Sequence, residues 1–451
     1  MKPTPALTRR SFLARCAAAA AAAGLPLWFV QRLQAEAGTA AAPTPPPSPN
    51  DRPGIALIGC GGRGRTDGTA AASYGDIVAV CDVDQDHREA AARQFTRNGR
   101  TPAKFSDFRA LLERSDVQVI VQATPDHWHT LVNLAAARAG KDIYGEKPIT
   151  LTIDEGKRAV RAVREHRVIF QTGSQQRSDP RFRLACELVR NGRIGKLRQV
   201  SVFVPAGYRG GPFSDAPVPA GLDWDRWLGQ APATAYQKER CHNTFRWWFE
   251  YSGGPVTDWG AHHNDIARWG IGLDGPTSVA AQVLTGPVPG GYSAPSEFAA
   301  ELTWADGTRQ VMKTTPDDAW NGSVINPKGQ RNGVKFEGDG GWIWVNRSGI
   351  AASSEDLLHT PLPDNALRLE VSTNHMGNFF DSVRSRRDPI CPIECGHRSA
   401  SIGHLIVMAL RSGRPFQWDP DREVCVGDGA EAGNAQLARE MRSPYDYRFA
   451  G

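Results

Sequence analysis

The chain has 451 residues, 40 % of them hydrophobic, which is enough for two domains with separate cores. The formal net charge is +5, but residues 1–37 hold five basic residues and only one acidic residue, so the remainder is close to neutral. A near-neutral chain lacks the basic excess that nucleic-acid binding requires, and no nucleic-acid partner is expected.

The first 37 residues resemble a twin-arginine export signal. Arg9 and Arg10 precede an apolar pair, and a mildly hydrophobic stretch rich in alanine follows from Ala17 to Val30. Residues 35–37, Ala-Glu-Ala, offer small side chains where a signal peptidase cleaves. The apolar run is shorter than the roughly 20 residues of a membrane span. We therefore expect export to the periplasm and cleavage, with no stable membrane insertion.

Residues 38–52 are rich in proline and alanine and are expected to form an extended linker. From 53 to 170, short apolar runs alternate with helical stretches, which predicts a doubly wound parallel sheet of the Rossmann type. These runs are continuous, as expected of strands that are buried on both faces. The predicted strands are Ile55–Ile58, Ile77–Cys81, Val117–Val121 and a short one near Ile143.

From residue 171 to 451 the strands are longer and the helices fewer. This pattern predicts a C-terminal α/β domain with a large, mostly antiparallel sheet that is open on one face. Strand-like alternation occurs at Leu197–Val204, Thr277–Leu284, Phe298–Trp304 and Gly341–Val345. Helices are predicted at Pro180–Arg190, Thr373–Arg386 and Gly396–Arg411.

Seven of the eight cysteines lie beyond the leader, an odd number that cannot be fully paired within one chain. Cys60 and Cys81 fall in predicted buried segments and are interpreted as small core residues. Cys391 and Cys395 are near enough in sequence to pair, and whether they do stays open. No set of cysteines and histidines has zinc-site spacing, so no metal is expected.

The first predicted strand is followed by the pattern Gly-x-Gly-x-x-Gly and then by a helix of small residues. Gly59 permits a tight turn, Gly61 lets the backbone approach a diphosphate, and Gly64 lets the helix pack on the strand. Gly62 and Arg63 complete the loop. The sequence therefore predicts a dinucleotide site with the diphosphate at a helix N-terminus, where free N–H groups favour an anion.

Asp82 ends the second predicted strand, 18 residues after the last glycine of the loop. A carboxylate there accepts hydrogen bonds from the adenosine ribose hydroxyls and repels a 2′-phosphate, which favours NAD over NADP. Arg63, Arg65 and Arg88 lie nearby in sequence, so NADP stays open as the less favoured cofactor.

Two more motifs follow the next predicted strands. Thr124-Pro125 is followed by His129, and Glu146-Lys147-Pro148 comes after the strand near Ile143. Together with the glycine loop and Asp82, these motifs resemble the Gfo/Idh/MocA (glucose–fructose oxidoreductase and inositol dehydrogenase) family, from about residue 52 to the C-terminus. The resemblance assigns Thr124, Pro125, His129 and Glu146 to the cofactor site.

The remaining signature of that family is an Asp and a His four residues apart on a helix of the second domain. Asp258 and His262 match it, and Asp265 shares the same helical face. The resemblance implies that His262 is the general base for a substrate hydroxyl and that Asp258 orients its imidazole. It also implies that Lys147 stabilises the same oxygen and that Glu146 positions the lysine or the nicotinamide ribose.

The substrate is less well specified by the sequence. Aromatic and polar residues near the predicted site fit stacking and hydrogen bonding to sugar rings, and the candidates are Tyr208, Arg246, Trp248 and His263. The resemblance and the export signal together imply a sugar, glycoside or polyol substrate. A homo-oligomer formed through the open sheet is also expected.

Three functions remain in competition. The first is a sugar or polyol dehydrogenase, or an aldose–aldose oxidoreductase, with tightly held cofactor, since an exported enzyme meets no free NAD pool. The second is an NAD-dependent glycosidase that oxidises a hydroxyl transiently, eliminates the aglycone, adds water and reduces again. The third is a non-catalytic dinucleotide-binding protein, against which the presence of Lys147, Asp258 and His262 argues.

Overall fold

The computed structural model describes residues 24–39, 52–314 and 332–449. The paired arginines Arg9 and Arg10, and most of the linker at 38–52, lie outside the described residues. Within the described part, two sheets form the centres of two domains.

The N-terminal domain is built on a sheet of six parallel strands in the order β3-β2-β1-β4-β5-β6. Its strands are β1 (Gly54–Ile58), β2 (Asp76–Cys81), β3 (Ala103–Phe105), β4 (Val119–Gln122), β5 (Asp142–Gly145) and β6 (Phe170–Thr172). After α1 (Leu27–Thr39), its helices are α2 (Gly62–Ala71), α3 (Gln85–Gln94), α4 (Phe108–Leu112), α5 (His129–Arg138) and α6 (Ile153–Glu165).

The parallel doubly wound sheet confirms the fold predicted for this half. β3 and β6 are three residues each, too short to give a pattern in the sequence. Because β2, β1, β4 and β5 are neighbours and parallel, the loops at their carboxyl ends lie side by side, where folds of this type bind ligands.

The C-terminal domain contains a nine-stranded mixed sheet in the order β13-β12-β11-β7-β10-β9-β8-β14-β15 among the described residues. Its strands are β7 (Leu197–Phe203), β8 (Pro276–Thr285), β9 (Glu297–Trp304), β10 (Arg309–Lys313), β11 (Gly333–Gly338), β12 (Gly341–Asn346), β13 (Gly349–Ala352), β14 (Phe416–Asp419) and β15 (Val424–Val426). Its helices are α7 (Pro180–Arg190), α8 (Trp224–Leu228), α9 (Trp259–Ile271), α10 (Glu355–His359), α11 (His375–Ser385), α12 (Ile393–Ser412) and α13 (Ala430–Asn434).

This sheet is mostly antiparallel, as predicted, with β7 and β10 as its parallel pair. Burial alternates along β9, which shows that one face packs on the helices and the other does not. The helix predicted at Pro180–Arg190 is confirmed residue for residue. Strand β10 was not predicted, because its sequence, Arg-Gln-Val-Met-Lys, carries only a weak alternation.

The helix α1 lies within the predicted leader and packs on the C-terminal domain. Phe29 is fully buried and belongs to the core cluster that also contains Ile350 and Leu358. The Trp28 indole donates to the Leu358 carbonyl at 2.8 Å, and Glu36 pairs with Arg183 at 2.8 Å. The end of the predicted leader is therefore part of this packed structure. Within the described ranges, no helix has both the length and the apolar character needed to cross a membrane.

The described cysteines are all buried free thiols. Cys60 and Cys81 belong to the cores around the parallel sheet, as interpreted from the sequence. Cys391 and Cys395 do not form a disulfide, and their two thiols lie within hydrogen-bonding reach of each other.

Candidate active site

A cavity of about 850 Å³ lies between the two domains and is lined by residues from both. Its floor is formed by the loops at the carboxyl ends of β1, β4 and β5, and its roof by the start of α9 and by loops of the C-terminal domain. A cleft of this size and position is typical of a site for a cofactor together with a small substrate.

The glycine loop at one end has the shape that a dinucleotide needs. Gly59 has φ +89°, and a Cβ there would lie 2.5 Å from the carbonyl carbon of Ala123. A Cβ on Gly64 would lie 1.8 Å from the Gly59 oxygen, so helix and strand could not pack as they do. A Cβ on Gly62 would meet nothing within 4 Å, which leaves the N-terminus of α2 open to an anion.

Asp82 lies at the end of β2 with both carboxylate oxygens held by the backbone. Oδ2 accepts the Cys60 N–H at 2.7 Å and Oδ1 accepts the Asp84 N–H at 2.9 Å. Each oxygen keeps a lone pair for a ribose hydroxyl. The Arg88 guanidinium donates to the Asp82 backbone oxygen at 2.7 Å. Arg63 forms ion pairs with Asp67 and Glu146 rather than with Asp82. The residues present fit NAD.

The adenosine end of the cleft is covered by the C-terminal domain. Gln85 donates its N–H to the Gly221 carbonyl at 3.0 Å, and the Asp223 N–H donates to the Val83 carbonyl at 3.1 Å. Beside them the imidazole of His242 lies 3.2 Å from an Asp84 oxygen. The cover is therefore attached to the N-terminal domain by backbone and side-chain contacts together.

Glu146 is buried between the glycine loop and the second domain. Its Oε1 accepts from Arg63 Nε and from the Gln175 amide, each at 2.9 Å. Arg63 also pairs with Asp67, and burial followed by the Glu146 charge raises the pKa of Asp67 well above its usual value. Glu146 therefore connects the glycine loop to Lys147, the next residue in the chain.

Lys147 is held by the segment that starts α9. Its ammonium donates to the Asp258 backbone oxygen at 2.8 Å and to Asp258 Oδ1 at 3.0 Å. Arg246 Nε donates to the same Oδ1 at 3.2 Å. Burial opposes ionisation of Asp258, but Lys147 and then Arg246 outweigh it and lower the pKa of that carboxyl. Asp258 is consequently a carboxylate shared by two cations.

His262 lies one turn further along α9 and lines the cavity. Burial, and then the Lys147 and Arg347 cations, lower its pKa well below the usual value, so the imidazole is neutral at neutral pH. Its Nδ1 has no hydrogen-bond partner among the described residues. The expectation that Asp258 orients this imidazole is not met, because the Asp258 carboxylate contacts Lys147 and Arg246 instead.

Most of the predicted site residues meet in this cavity. They are Gly59, Gly61, Gly62, Arg63, Asp82, Thr124, Pro125, His129, Glu146, Lys147, Tyr208, Arg246, Asp258 and His262. His129 touches the cavity, but its ring nitrogens face the carbonyl oxygens of Pro148 at 2.5 Å and Thr124 at 2.9 Å. Its imidazole therefore joins two loops of the site.

Three other predicted residues do not line the cavity. Gly64 lies at the contact between α2 and the end of β1, where the lack of a side chain allows the close packing. Trp248 is a core residue whose indole donates to the Glu239 carbonyl at 2.9 Å, while its neighbour Trp247 lines the cleft and stacks on Tyr208 at 5.0 Å. His263 is fully buried, with Nε2 3.3 Å from an Asn332 oxygen.

Asp265 shares the helical face of Asp258 and His262 but serves the core. Arg177 binds it through two hydrogen bonds of 2.8 and 2.9 Å, and the Ser399 hydroxyl donates to it at 2.7 Å. The helical face predicted from spacing therefore lines the cavity at Asp258 and His262 and is structural at Asp265, one turn beyond His262.

Arg347 was not among the residues predicted for the site, and it lines the cavity from the turn between β12 and β13. Its guanidinium carbon lies 4.9 Å from the ring centre of Trp259, another cavity residue. Burial, and then the Arg63 cation, lower the pKa of Arg347. A single arginine between two strands has no motif, and only the tertiary structure brings it to the site.

Two family models match the chain. One is described as "Oxidoreductase family, NAD-binding Rossmann fold" and matches residues 54–174; the other as "Oxidoreductase family, C-terminal alpha/beta domain" and matches residues 210–447. The two matches cover the two halves of the cavity.

Among named proteins, the scyllo-inositol 2-dehydrogenase (NAD(+)) of Bacillus subtilis is 25 % identical over 315 residues, 69 % of this chain and 81 % of that protein. A glycosyl hydrolase family 109 protein of Saccharopolyspora erythraea is 46 % identical over 84 residues, 18 % of each chain. The solved structure of the WlbA dehydrogenase of Bordetella pertussis, with NADH and UDP-GlcNAcA, superposes with a TM-score of 0.60 at 20 % identity. That superposition covers 82 % of this chain and 99 % of the other.

Proposed function

Because the chain belongs to the Gfo/Idh/MocA oxidoreductase family, we propose that its substrate is a hydroxyl of a sugar, glycoside or polyol. The chain is an NAD-dependent oxidoreductase, and NAD is its cofactor. The observation that carries the substrate proposal is the meeting of Lys147, Asp258 and His262 in one cleft with the glycine loop. Bound NAD⁺ supplies the hydride acceptor for an alcohol carbon.

Lys147 is the group that holds the substrate oxygen. An ammonium has three N–H donors, and Asp258 takes two of them through its backbone and side-chain oxygens. The third is left for the hydroxyl that reacts. Because the ammonium is fixed before substrate arrives, it stabilises negative charge developing on that oxygen without having to reorganise.

His262 is the group that accepts the hydroxyl proton. A neutral imidazole has one unprotonated ring nitrogen that can accept a proton, and this imidazole lines the cavity and is neutral at pH 7. The nearby Lys147 and Arg347 cations lower the pKa of this imidazole and so weaken it as a base, while they favour the alkoxide form of a substrate oxygen. Asp258 acts on Lys147 and Arg246 rather than on the imidazole.

We further propose that NAD is held tightly and recycled in place. The contacts of the Gly221–Asp223 segment and His242 with the loop after β2 support this proposal, because they close the adenosine end of the cleft. Protein purified without added cofactor is expected to release NAD or NADH on denaturation. A preparation that arrives empty, and that binds and releases NAD rapidly, would count against retention.

The proposed function is tested by screening sugars, polyols and glycosides against the purified protein. Reduction of the bound cofactor is monitored by absorbance at the wavelength of NADH. The proposal is supported if a carbohydrate reduces the bound NAD in the wild type and this reduction is lost in His262→Asn. The matched control is His263→Asn, which removes the neighbouring buried imidazole outside the cleft. A binding protein without turnover would hold NAD and show no reduction with any compound.

The glycosidase reading stays as a second candidate, favoured by the 46 % identity over 84 residues to the glycosyl hydrolase family 109 protein. In that reaction, oxidation at one hydroxyl acidifies a neighbouring C–H, the aglycone leaves, water adds and the sugar is reduced. Release of nitrophenol from aryl glycosides without added NAD, with solvent deuterium entering the sugar, would select it. Net accumulation of oxidised sugar would select the dehydrogenase.

We also propose export by the twin-arginine route into the periplasm, on the strength of Arg9 and Arg10. This route carries folded proteins, which suits a chain that takes up its cofactor before it leaves the cytosol. Cleavage after Ala37 would have to remove the packed helix α1, with its Glu36–Arg183 ion pair. N-terminal sequencing of the periplasmic protein, with an Arg9→Lys, Arg10→Lys control, tests both export and cleavage.

A homo-oligomer formed through the open face of the nine-stranded sheet is likewise a proposal. Val283 and Leu284 are large apolar residues that stay exposed near the end of β8, which supports an interface there. Light scattering of the wild type and of Val283→Lys measures it. A monomer in the wild type would contradict the proposal.

A further inference from the structure

Among the described residues, the cations at the substrate end of the cleft each contact a carboxylate, with one exception. Arg63 pairs with Asp67 and Glu146, while Lys147 and Arg246 share Asp258. Arg347 lines the same cavity, but it forms no ion pair with any carboxylate of residues 24–39, 52–314 and 332–449. A cation placed in a binding cleft without a protein counter-charge is a site for an anionic group of the ligand.

The side chain of Arg347 is oriented by its neighbours. Its flat face lies over the Trp259 ring at 4.9 Å. The Gln176 amide, oriented so that its nitrogen donates to the His262 carbonyl at 3.1 Å, accepts from Arg347 Nε at 3.1 Å. These contacts use the face and one edge of the guanidinium. The two Nη nitrogens remain for a ligand, and the residue stays exposed to the cleft.

We propose that the substrate is an acidic sugar, such as a hexuronic acid or a uronide, whose carboxylate binds the two Nη nitrogens of Arg347. The inference rests on the proposed function, because it names the substrate class of the same site. Gln176 links Arg347 to the backbone of His262. The carboxylate and the reacting hydroxyl of the substrate are therefore bound by adjoining residues. Arg347 is then a specificity-determining residue that takes no proton.

A carboxylate fits this position better than a phosphate does. The two free Nη nitrogens at the end of one guanidinium match the two oxygens of a carboxylate in the bidentate arrangement. A carboxylate brings one negative charge, whereas a phosphate monoester brings nearly two at pH 7. Carboxylates at Glu146 and Asp258 line the same cavity and oppose the second charge.

The experiment compares D-glucuronate, D-galacturonate and D-mannuronate with their neutral hexoses and their methyl esters. Equilibrium binding to the NADH-loaded protein is measured by tryptophan fluorescence, and turnover by reduction of bound NAD. We expect at least one free uronate to bind about 10- to 100-fold more tightly than its hexose and its ester, the range expected for a charge-assisted hydrogen-bonded pair.

Variants assign that preference to Arg347. Arg347→Met is expected to abolish the 10- to 100-fold preference while leaving binding of the neutral hexose within about twofold, and Arg347→Lys to restore part of it. The control is Arg309→Met, which removes a cation from the exposed pair with Glu301 on β10 and is expected to keep the full preference. The Kd for NADH is measured for every variant.

Three results would overturn the inference. Esters that bind as tightly as the free acids would show that no carboxylate is recognised. A preference for hexose 6-phosphates over uronates would assign the site to phosphate. A loss of NADH affinity in Arg347→Met as large as the loss of uronate affinity would assign Arg347 to the cofactor. If uronates bind through Arg347 but no carbohydrate reduces the cofactor, the proposed oxidation fails and this inference stands.

Discussion

The two halves of the cleft are specified in different ways. In the cofactor half, the glycine loop and Asp82 lie within about 25 residues of sequence and meet because two adjacent parallel strands end at the same edge. In the substrate half, Lys147, Arg246, Asp258 and Arg347 come from segments spread over 200 residues and meet only through domain packing. Local backbone geometry dictates the first half, and long-range contacts dictate the second.

The difference matters for how each half responds to substitution. The glycine loop tolerates no added atom at Gly59 or Gly64, since backbone lies directly against both positions. The substrate half is held by charge pairs among side chains, which can be exchanged without moving the backbone. Changes in the first half should therefore remove the cofactor or the fold, and changes in the second half should alter chemistry with cofactor still bound.

The largest expected effect is that of Lys147→Met. It removes the ammonium that holds the reacting oxygen in the proposed function and leaves Asp258 with Arg246, so kcat/KM should fall by about 10³-fold. Cofactor content should stay close to that of the wild type, because Lys147 touches Asp258 rather than the glycine loop. Lys157→Met, at a distant helix where the ammonium binds the Glu423 carbonyl, is the control. Loss of bound NAD in Lys147→Met would contradict the separation of the two halves.

Gly64→Ala tests the other half. The added Cβ would lie 1.8 Å from the Gly59 oxygen, so the loop must shift. We expect loss of bound NAD and a fall in unfolding free energy of about 1–3 kcal/mol, the usual cost of overpacking. Thermal unfolding and released NAD are the measurements. Gly286→Ala is the matched control, because its Cβ would meet only a Val283 side-chain atom at 3.7 Å, an ordinary contact, and the residue lies outside the cavity. Equal behaviour of the two variants would show that the close contact is unimportant.

A smaller effect is expected from Asp82→Asn. The amide keeps one oxygen for the Cys60 N–H, but it loses the charge that strengthens hydrogen bonds from the ribose hydroxyls. NAD should bind about tenfold more weakly, and NADP should become a better competitor, because the repulsion of its 2′-phosphate is gone. Isothermal titration of both cofactors into cofactor-stripped protein gives the numbers. Unchanged discrimination between NAD and NADP would remove Asp82 from the ribose site.

The smallest expected effect lies within the substrate half and concerns the pKa of His262. Burial, then Lys147 and Arg347, lower that pKa, and the proposed reaction needs the neutral imidazole. Activity should therefore persist below pH 6.5 and fall only as the pH drops through the lowered pKa. In Arg347→Met one of the cations is gone, the pKa of His262 rises, and the acid limb of kcat/KM for a neutral sugar moves to higher pH. An acid limb that does not move would exclude Arg347 from the surroundings of the base.

The sequence by itself determined the two-domain fold, the glycine loop with Asp82, and the presence of Lys147, Asp258 and His262. These features depend on strand periodicity, tight turns and motifs of a few residues, all of which are local properties of the chain. The boundaries of α7 could be predicted for the same reason. Strands of three residues could not be predicted, because they are too short to show a hydrophobic period.

Only the tertiary structure decided what each site residue contacts. Asp258 was expected on His262 and lies on Lys147 and Arg246; Trp247, rather than Trp248, lines the cleft. Arg347 could not be found from sequence at all. Helical spacing tells which residues share a face, but the partner of a charge is set by the segments that fold against that face. The residue that reads the substrate in our proposal is therefore one that only the packing of the second domain could bring to the site.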